Sequence, residues 1–394
     1  MRPSPLSEDC LQSSNWLALA RMEHPLLTQD PIALGDLATR AADLLIPYPW
    51  KVWFWGDSIG LEGLLDASEL TRNPKYAGFV HGLLKGWVAR EGQRSEFDYT
   101  APGVALLRIS EATGDSRLLE AAMRHAEYMA AFRKTARGAY VRYENTAIEL
   151  PPELPPGHPD YQAAKADPER GSDGGPCVFA DCVHFDGPFF AKLYQVTGRD
   201  EFRKLALQNI LPQIDLLFDP SEDLFHHFWM EKTESKNGVL WGRGNGWALL
   251  GLAHTLEHLP DEDAGAVRIL DVLRRVARHL ADLQDDSGGW HTVLDDPTSY
   301  VETSVAAFVV DGFSMAICRG WLDESALRPV VESAMRFLLA NVEATGLLAG
   351  VSYETFPSTR AEHYRKMPRG AMVPWGQGPL LTALRSYARL TGGA

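Results

Sequence analysis

The chain has 394 residues, of which 45% are hydrophobic and 23% charged, so it can bury a large core and is neither disordered nor fibrous. Lysine and arginine number 38 against 52 aspartates and glutamates, and the net charge of -14 argues against nucleic acid or an anionic membrane as a partner. The N-terminus lacks the apolar core of a signal peptide, and no apolar run approaches a membrane span, which predicts a cytoplasmic protein.

The sequence predicts no metal and no cofactor. The four cysteines (Cys10, Cys177, Cys182 and Cys318) form no CxxC pair, match no common metal site, and are expected to be reduced thiols. No P-loop, HExxH, GxSxG or strand-linked GxGxxG motif is present.

A turn-like segment follows an apolar helical run at six points along the chain. These turns lie around Thr71, Thr113, Thr197, Pro260, Gly320 and Thr391. Before each turn comes an apolar helix containing small residues, such as VAAFVVDGFSMAI. After each of the first five comes an amphipathic helix, such as SRLLEAAMRHAEYMAAF. The repeat predicts buried inner helices that alternate with half-exposed outer ones.

The sixth inner helix ends at the C-terminus and needs an outer partner. The segment from Asp30 to Leu45, DPIALGDLATRAADLL, supplies one, so the two ends of the chain are predicted to complete a ring. We therefore predict an all-α fold, an (α/α)6 barrel, formed by residues 1–394 as a single catalytic domain with an inserted loop at about 137–176. An open solenoid of helical pairs is the alternative.

In such a ring, all six inner helices begin on one face, and the segments that enter them are rich in aromatic residues and glycine, as a ligand pocket requires. Five tryptophans at these points predict a stacking surface for a sugar ring: Trp53, Trp55, Trp241, Trp247 and Trp375. For any single one, packing in the core is an equal alternative.

Carboxylates on the same face are candidates for acid and base catalysis: Asp57, Asp98, Asp181, Asp186 and Glu302. Stabilisation of a helix start is a competing role for Asp57 and Glu302. Asp181 lies in the apolar run CVFADCVHF, where an ionised carboxylate is costly, and is the predicted proton donor. His184 and Asp186 could tune it, or could be satisfied core polar groups.

Basic side chains are candidates for an anionic substrate. Arg243, flanked by glycines in WGRGNGW, is predicted to bind a carboxylate through two parallel hydrogen bonds. His227, in LFHHFWM, is a further candidate, although a lone histidine more often has a structural role, and His226 is expected to point elsewhere. A basic stretch before the last inner helix is either a solvated loop or a substrate contact. It comprises Arg360, Arg365, Lys366 and Arg369.

Six segments spanning most of the chain carry a family resemblance: WFWGDSIGLEGLL, FADCVHFDGPFFAKLYQVTG, LFHHFWM, WGRGNGW, VETSVAAFVVDGF and VPWGQGPLLTAL. The chain resembles the unsaturated uronyl hydrolases of glycoside hydrolase families 88 and 105, especially the unsaturated rhamnogalacturonyl hydrolases. The resemblance implies an (α/α)6 glycoside hydrolase. It would remove a 4,5-unsaturated uronic acid from the non-reducing end of lyase-generated oligosaccharides, with pectic rhamnogalacturonan-type fragments favoured.

The resemblance also implies roles for individual residues. Asp181 would protonate C4 of the C4=C5 double bond and help water to add at C5, and Asp98 would hold ring hydroxyls and assist it. The subsite for the unsaturated sugar would be lined by His227, Trp241, Arg243 and Trp247, and the stacking prediction adds Trp55 and Trp375.

Two features depart from the family pattern. The HFD after Asp181 is more polar than expected, and the insertion could reshape the subsite of the leaving sugar. The leaving sugar, its linkage and the oligomeric state stay open. A sugar 2-epimerase, which would need paired histidine bases, and a non-catalytic sugar-binding protein are the alternatives; Asp181 and Asp98 together argue against the second.

Overall fold

The computed structural model describes residues 31–90, 92, 102–142, 144, 146 and 174–392. The helices of these residues are α1 (Pro31–Leu45), α2 (Trp55–Thr71), α3 (Pro74–Ala89), α4 (Gly103–Thr113), α5 (Ser116–Ala130), α6 (Cys182–Thr197), α7 (Asp200–Leu217), α8 (Gly242–Leu256), α9 (Ala264–Asp282), α10 (Thr303–Cys318), α11 (Glu324–Ala340), α12 (Ala361–Arg365) and α13 (Pro374–Leu390). The strands are β1 (Cys177–Phe179), β2 (Phe218–Asp219), β3 (Leu224–Phe225), β4 (Phe228–Met230), β5 (Ser235–Lys236), β6 (Trp290–His291) and β7 (Val301–Glu302).

The long helices form two concentric rings. The inner ring consists of α2, α4, α6, α8, α10 and α13, each in contact with the next, and α13 returns to α2. Outer helices α3, α5, α7, α9 and α11 each pack against the inner helix that precedes them, and α1 packs against both α13 and α2. The predicted (α/α)6 barrel is confirmed, and the segment ending at Leu45 closes it.

Burial distinguishes the two rings as the sequence predicted. In α10, every residue from Thr303 to Ile317 is buried except Met315. In α9, the buried residues recur every three or four positions from Ile269 to Leu280, and charged side chains occupy the rest of the surface.

The repeated turns use one hydrogen-bonding device. Thr71, Thr113, Thr197 and Thr391 each donate their hydroxyl to the carbonyl four residues earlier, at 2.6 to 3.0 Å. At the first three, the backbone N–H two residues later donates to that hydroxyl at 3.3 Å. The threonine therefore satisfies polar groups on both sides of the helix end.

Short strands occupy the connections that lead from an outer helix into the next inner one. They form a three-stranded sheet in the order β1-β4-β5 and the pairs β2-β3 and β6-β7. Since they precede α6, α8 and α10, they lie at the face of the barrel where inner helices begin. None of the described helices combines the length and apolar character needed to cross a bilayer.

Candidate active site

A short sheet brings the first two candidate residues together. β1 pairs antiparallel with β4, placing Phe179 opposite Phe228, and the Ala180 N–H donates to the carbonyl of His227 at 2.8 Å. Asp181 lies just beyond β1 and His227 just before β4, so the strand pairing makes these distant residues neighbours. His226, on the other side of the backbone, meets Asp219 at 3.3 Å, as expected for alternating side chains.

Asp181 presents a free carboxylate oxygen beside an imidazole. His227 Nε2 lies 3.6 Å from Asp181 Oδ2, which is too long for a hydrogen bond. That oxygen is itself buried and accepts no hydrogen bond from the described residues, while 15% of the Asp181 side chain as a whole is exposed. The carboxyl group is thus partly exposed and incompletely hydrogen-bonded.

Tyr364 holds the ring of His227 from the other side. Its hydroxyl lies 2.6 Å from His227 Nδ1 and donates to the Ser358 carbonyl at 3.0 Å. Burial raises the pKa of Tyr364 well above its ordinary value, so the phenol keeps its proton. When that proton is directed to Ser358, Nδ1 carries a hydrogen of its own, and Nε2 faces Asp181.

Arg243 is fully buried and uses both terminal nitrogens within the protein. Nη1 donates to Glu302 Oε1 at 2.8 Å and to Ser352 Oγ at 2.7 Å. Nη2 donates to the Tyr353 carbonyl at 2.8 Å and to Thr355 Oγ1 at 2.9 Å. We predicted that Arg243 would donate two parallel hydrogen bonds to a substrate carboxylate, but both terminal nitrogens already donate to groups of the protein. Arg243 holds the 352–355 segment instead.

Glu302 anchors the same network. Besides Arg243, its Oε1 accepts from the hydroxyls of Ser304 at 2.6 Å and Ser352 at 2.8 Å, and its Oε2 accepts from Thr292 Oγ1 at 3.1 Å. A buried carboxylate with this many donors has a structural role.

Asp57 also supports the backbone rather than facing a substrate. Its Oδ2 accepts the N–H groups of Lys51 at 2.7 Å and Val52 at 2.8 Å. Both carboxylates therefore serve the fold: Asp57 lies in the first turn of α2, and Glu302 directly precedes α10 but makes no capping hydrogen bond with its side chain.

Among the five tryptophans predicted to stack on sugar, Trp55 is the one that remains partly exposed. Trp375 packs on it with ring centroids 4.5 Å apart and donates Nε1–H to the Ser352 carbonyl. Trp241 lies under the ring of His227, 4.4 Å between centroids, and Trp247 is completely buried. The prediction that Trp53 contributes to the stacking surface is wrong: Trp53 is a core residue that stacks on Trp87 of the outer helix α3.

Two polar residues after Asp181, Asp186 and His184, have buried side chains. Asp186 is buried and accepts from Arg142 Nε at 2.7 Å and from Asn209 Nδ2 at 3.1 Å. His184 packs against Trp247, 5.1 Å between ring centroids. Neither side chain contacts the Asp181 carboxylate, so neither is placed to tune it directly.

The basic stretch before α13 is partly paired. Arg365 meets Asp296 at 3.3 Å and Lys366 meets Glu362 at 2.5 Å. Arg369 is exposed, lies 4.0 Å over the ring of Tyr300, and has no carboxylate partner among the described residues. Its strand-like bridge to Ser352 places it beside the segment held by Arg243.

Asp98, the second predicted catalytic residue, lies outside the described residues, as does most of the predicted insertion at 137–176. Sequence reasoning missed Tyr364, Ser352 and Asn245. Asn245, in WGRGNGW, exchanges two hydrogen bonds of 2.8 Å with the backbone of Phe225 and so ties α8 to β3. A polar residue between the glycines of that motif was the available signal.

Comparisons with known proteins agree with this architecture. The chain is 30% identical over 337 residues to "unsaturated rhamnogalacturonyl hydrolase YesR" of Bacillus subtilis (strain 168), covering 84% of this chain and 88% of that protein. A possible member of the GH105 family from Salmonella enterica serovar Paratyphi A has the same fold, with a TM-score of 0.79, 22% identity, and coverage of 94% of this chain and 96% of that one.

The unsaturated glucuronyl hydrolase of Bacillus sp. GL1 also shares the fold, with a TM-score of 0.63, 19% identity, and coverage of 90% of this chain and 95% of that one. The model of Glycosyl Hydrolase Family 88 matches residues 40–391. Because this match spans nearly the whole barrel, the chain belongs to Glycosyl Hydrolase Family 88 and is a glycoside hydrolase.

Proposed function

We propose that this hydrolase removes a 4,5-unsaturated uronic acid from the non-reducing end of a short oligosaccharide by hydrating the C4=C5 double bond. The observation that carries the proposal is the Asp181 carboxylate, with a free oxygen 3.6 Å from the His227 imidazole at the face where the inner helices begin. Family membership and the likeness to YesR support the substrate class.

The double bond is an enol ether, so its hydration needs a proton at C4 and water at C5. Protonated Asp181 gives its proton to C4, and the ring oxygen shares the positive charge that develops at C5. Water then bonds C5 while the Asp181 carboxylate takes a proton from it, which restores the acid. The hemiketal opens between C5 and the ring oxygen, and the hemiacetal at C1 releases the remaining sugar as an alcohol.

The surrounding residues support this chemistry in different ways. His227 lies beside the Asp181 carboxyl and helps to position it, and Asp98 is proposed, from the family resemblance, to hold ring hydroxyls. Trp55 offers a face for the sugar ring, with Trp375, Trp241 and Trp247 behind the pocket wall. Arg369 is the proposed partner of the uronate carboxylate, because its guanidinium is exposed and has no described acidic partner.

The proposed substrates are pectic fragments of the rhamnogalacturonan type, with rhamnose as the leaving sugar. The net charge of -14 disfavours a long polyanionic polymer and favours short fragments. A cytoplasmic location is part of the proposal; the free thiols of Cys177, Cys182 and Cys318 are consistent with a reducing compartment. The extent of the catalytic domain, residues 1–394, and its insertion stay predictions.

The test is loss of the ultraviolet absorbance of the conjugated alkene, measured with unsaturated disaccharides made by lyases from pectin, ulvan and glycosaminoglycans. We expect decay with the pectic substrate. Asp181→Asn should lower kcat by about 10²- to 10⁴-fold, since an amide cannot exchange the proton. Calorimetry should show the disaccharide still bound, because the shape and polarity of the side chain are retained.

Asp295→Asn is the matched control, because Asp295 is an exposed aspartate on a surface loop. It should turn over like wild type. Equal activity of Asp181→Asn and wild type would show that Asp181 does not have the proposed role. If folded wild-type protein acted on none of these disaccharides, the proposed reaction would be wrong.

A further inference from the structure

A second polar region lies at the opposite end of the barrel from Asp181. A cavity of about 690 Å³ opens between the C-terminal halves of the inner helices. Its wall carries an unusual number of charged side chains for the middle of a helical ring, among them Glu62, Asp311, Arg108 and Lys192. None of these residues contributes to the proposed hydrolysis.

Three side chains of types that can ligate a metal come together here, and two of them, Glu62 and His254, line the cavity. Glu62 of α2, His184 of α6 and His254 of α8 each offer a ligand atom, and these atoms lie within 4.8 Å of one another. Glu62 and His184 are buried, and His254 is partly exposed to the cavity. Because the donors come from three different helices, no spacing in the sequence indicated the cluster.

His184 is the strongest sign that the cluster binds something. It is 3% exposed, and neither of its ring nitrogens has a hydrogen-bond partner among the described residues. Leaving two polar atoms of a buried side chain unpaired is destabilising, because each has lost its hydrogen bonds to water. An imidazole in its neutral form coordinates a metal through such an unpaired nitrogen.

The charges around the cluster also favour a cation. Arg108 is paired with Asp66 at 2.7 Å and Glu69 at 2.6 Å, and Lys192 with Glu111 at 2.8 Å. Among the described residues, no lysine or arginine forms an ion pair with Glu62 or Asp311; Arg108 and Lys192 act on Glu62 only from a longer distance.

Asp311 Oδ2 lies 3.8 Å from His254 Nε2. In their ionised forms, the carboxylates of Glu62 and Asp311 would balance the charge of a divalent ion.

We propose that Glu62, His184 and His254 bind a divalent transition-metal ion, with Asp311 beside them as a charge partner. One carboxylate oxygen and two imidazole nitrogens form a donor set that suits Zn²⁺, which takes such ligands at about 2.0–2.2 Å. Carbonyl-and-carboxylate sites of the kind that calcium prefers would lack the two imidazoles.

The ion would join three inner helices behind the substrate face. His184 packs on Trp247, and Trp247 meets Trp55 edge to face, with centroids 6.4 Å apart. Metal binding would therefore fix the inner wall of the pocket and stabilise the barrel, with no part in the proton transfers of Asp181. This inference stands on the geometry of the cluster and is independent of the proposed reaction.

The test begins with full-length protein that has been stripped with EDTA, incubated with Zn²⁺ and desalted. Elemental analysis should find about one zinc per chain. Replacing the zinc with Co²⁺ should give the visible absorption of a nitrogen- and oxygen-ligated ion. Zn²⁺ should also raise the thermal midpoint of the stripped protein, because an ion that binds only the folded state stabilises it.

Variants separate the cluster from its surroundings. Glu62→Gln and His254→Gln should each weaken Zn²⁺ binding by at least about 100-fold, since each removes one of three protein ligands. His258→Gln is the matched control: His258 lines the same cavity but lies outside the cluster, and the variant should bind one zinc. The proposal is wrong if stripped wild type binds neither Zn²⁺ nor Co²⁺, or if the cluster variants retain the affinity of the His258 control.

Discussion

Asp57 illustrates at the residue scale how a buried carboxylate near the substrate can serve the fold. Its Oδ2 accepts two backbone N–H groups, whereas Oδ1 has no described partner. One donor belongs to Val52, whose φ of 72° lies in the left-handed region that a β-branched residue disfavours. Burial raises the pKa of Asp57 to about 6, while the nearby Lys51 opposes the shift. The other titratable group facing it is Tyr48.

This pKa predicts how stability depends on pH. The folded protein holds the Asp57 proton more tightly than the unfolded chain, so the contribution of Asp57 to the free energy of unfolding falls as pH rises from about 4 to about 6 and then levels off. Asp57→Asn keeps an oxygen acceptor and removes the charge. We expect the variant to exceed wild type by about 1–3 kcal/mol at pH 7 and to match it near pH 4 in urea unfolding.

Asp57→Ala is the comparison, because it removes the acceptor and should be less stable than wild type at every pH. If Asp57→Asn were destabilised at pH 7, the Asp57 charge would be stabilising and the assigned sign would be wrong.

The sequence was informative about Asp181 and His227 one at a time but not about their contact. Each lies in an apolar run where a polar residue stands out, which identifies candidates. Their proximity depends on a pairing of strands only three residues long, and such strands carry no usable periodicity. The prediction for Arg243 was wrong for a similar reason: its partners Ser352 and Thr355 lie on a segment that is distant in the sequence and carries no motif.

At the scale of elements, close packing of the inner helices depends on glycine. A Cβ at Gly246 of α8 would lie 2.8 Å from Cβ of Phe308 on α10. Gly82 of α3, in contrast, has nothing within 4 Å of that position. The same residue type therefore has opposite consequences in the two rings.

Alanine substitutions should show this contrast. Gly246→Ala is expected to lower the free energy of unfolding by about 1–3 kcal/mol, because α8 and α10 must move apart. Gly82→Ala should raise it by about 0.5–1 kcal/mol, since alanine loses less backbone entropy in an exposed helix. Chemical denaturation of both variants measures the difference, and a stabilised Gly246→Ala would show that the inner ring has room to spare.

At the scale of the whole molecule, the architecture was the most predictable feature. Six repeats of a buried helix, a turn and an amphipathic helix are encoded locally, and the repeat count selects the closed barrel. The site is less predictable because its residues meet only after the ring has closed. The Glu62, His184 and His254 cluster is the extreme case, since α2, α6 and α8 each supply one residue.

Gln377 links the two ends of the ring. It is buried; its Nε2 donates to the carbonyls of Gly346 at 2.5 Å and Ala41 at 3.4 Å, and its Oε1 accepts from the Leu348 N–H at 3.2 Å. Gln377→Met should destabilise the barrel by about 1–3 kcal/mol by leaving these groups unpaired. Hydrogen exchange should show faster exchange in α1 before other helices.

Gln208→Met, on the exposed surface of α7, is the matched control and should leave exchange in α1 unchanged. Uniform acceleration in all helices of the Gln377 variant would contradict a local role in holding α1.

The contact between α1 and α13 has a consequence for synthesis of the chain. The bond between Ala41 and Gln377 joins residues 336 positions apart. A ribosome must therefore release almost the entire polypeptide before α1 can meet its final neighbour. Until then, the apolar sides of α1 and α2 that α13 later covers stay exposed to chaperones and to other nascent chains. Truncated products of interrupted translation would keep this surface open permanently, which makes them natural targets for proteolysis.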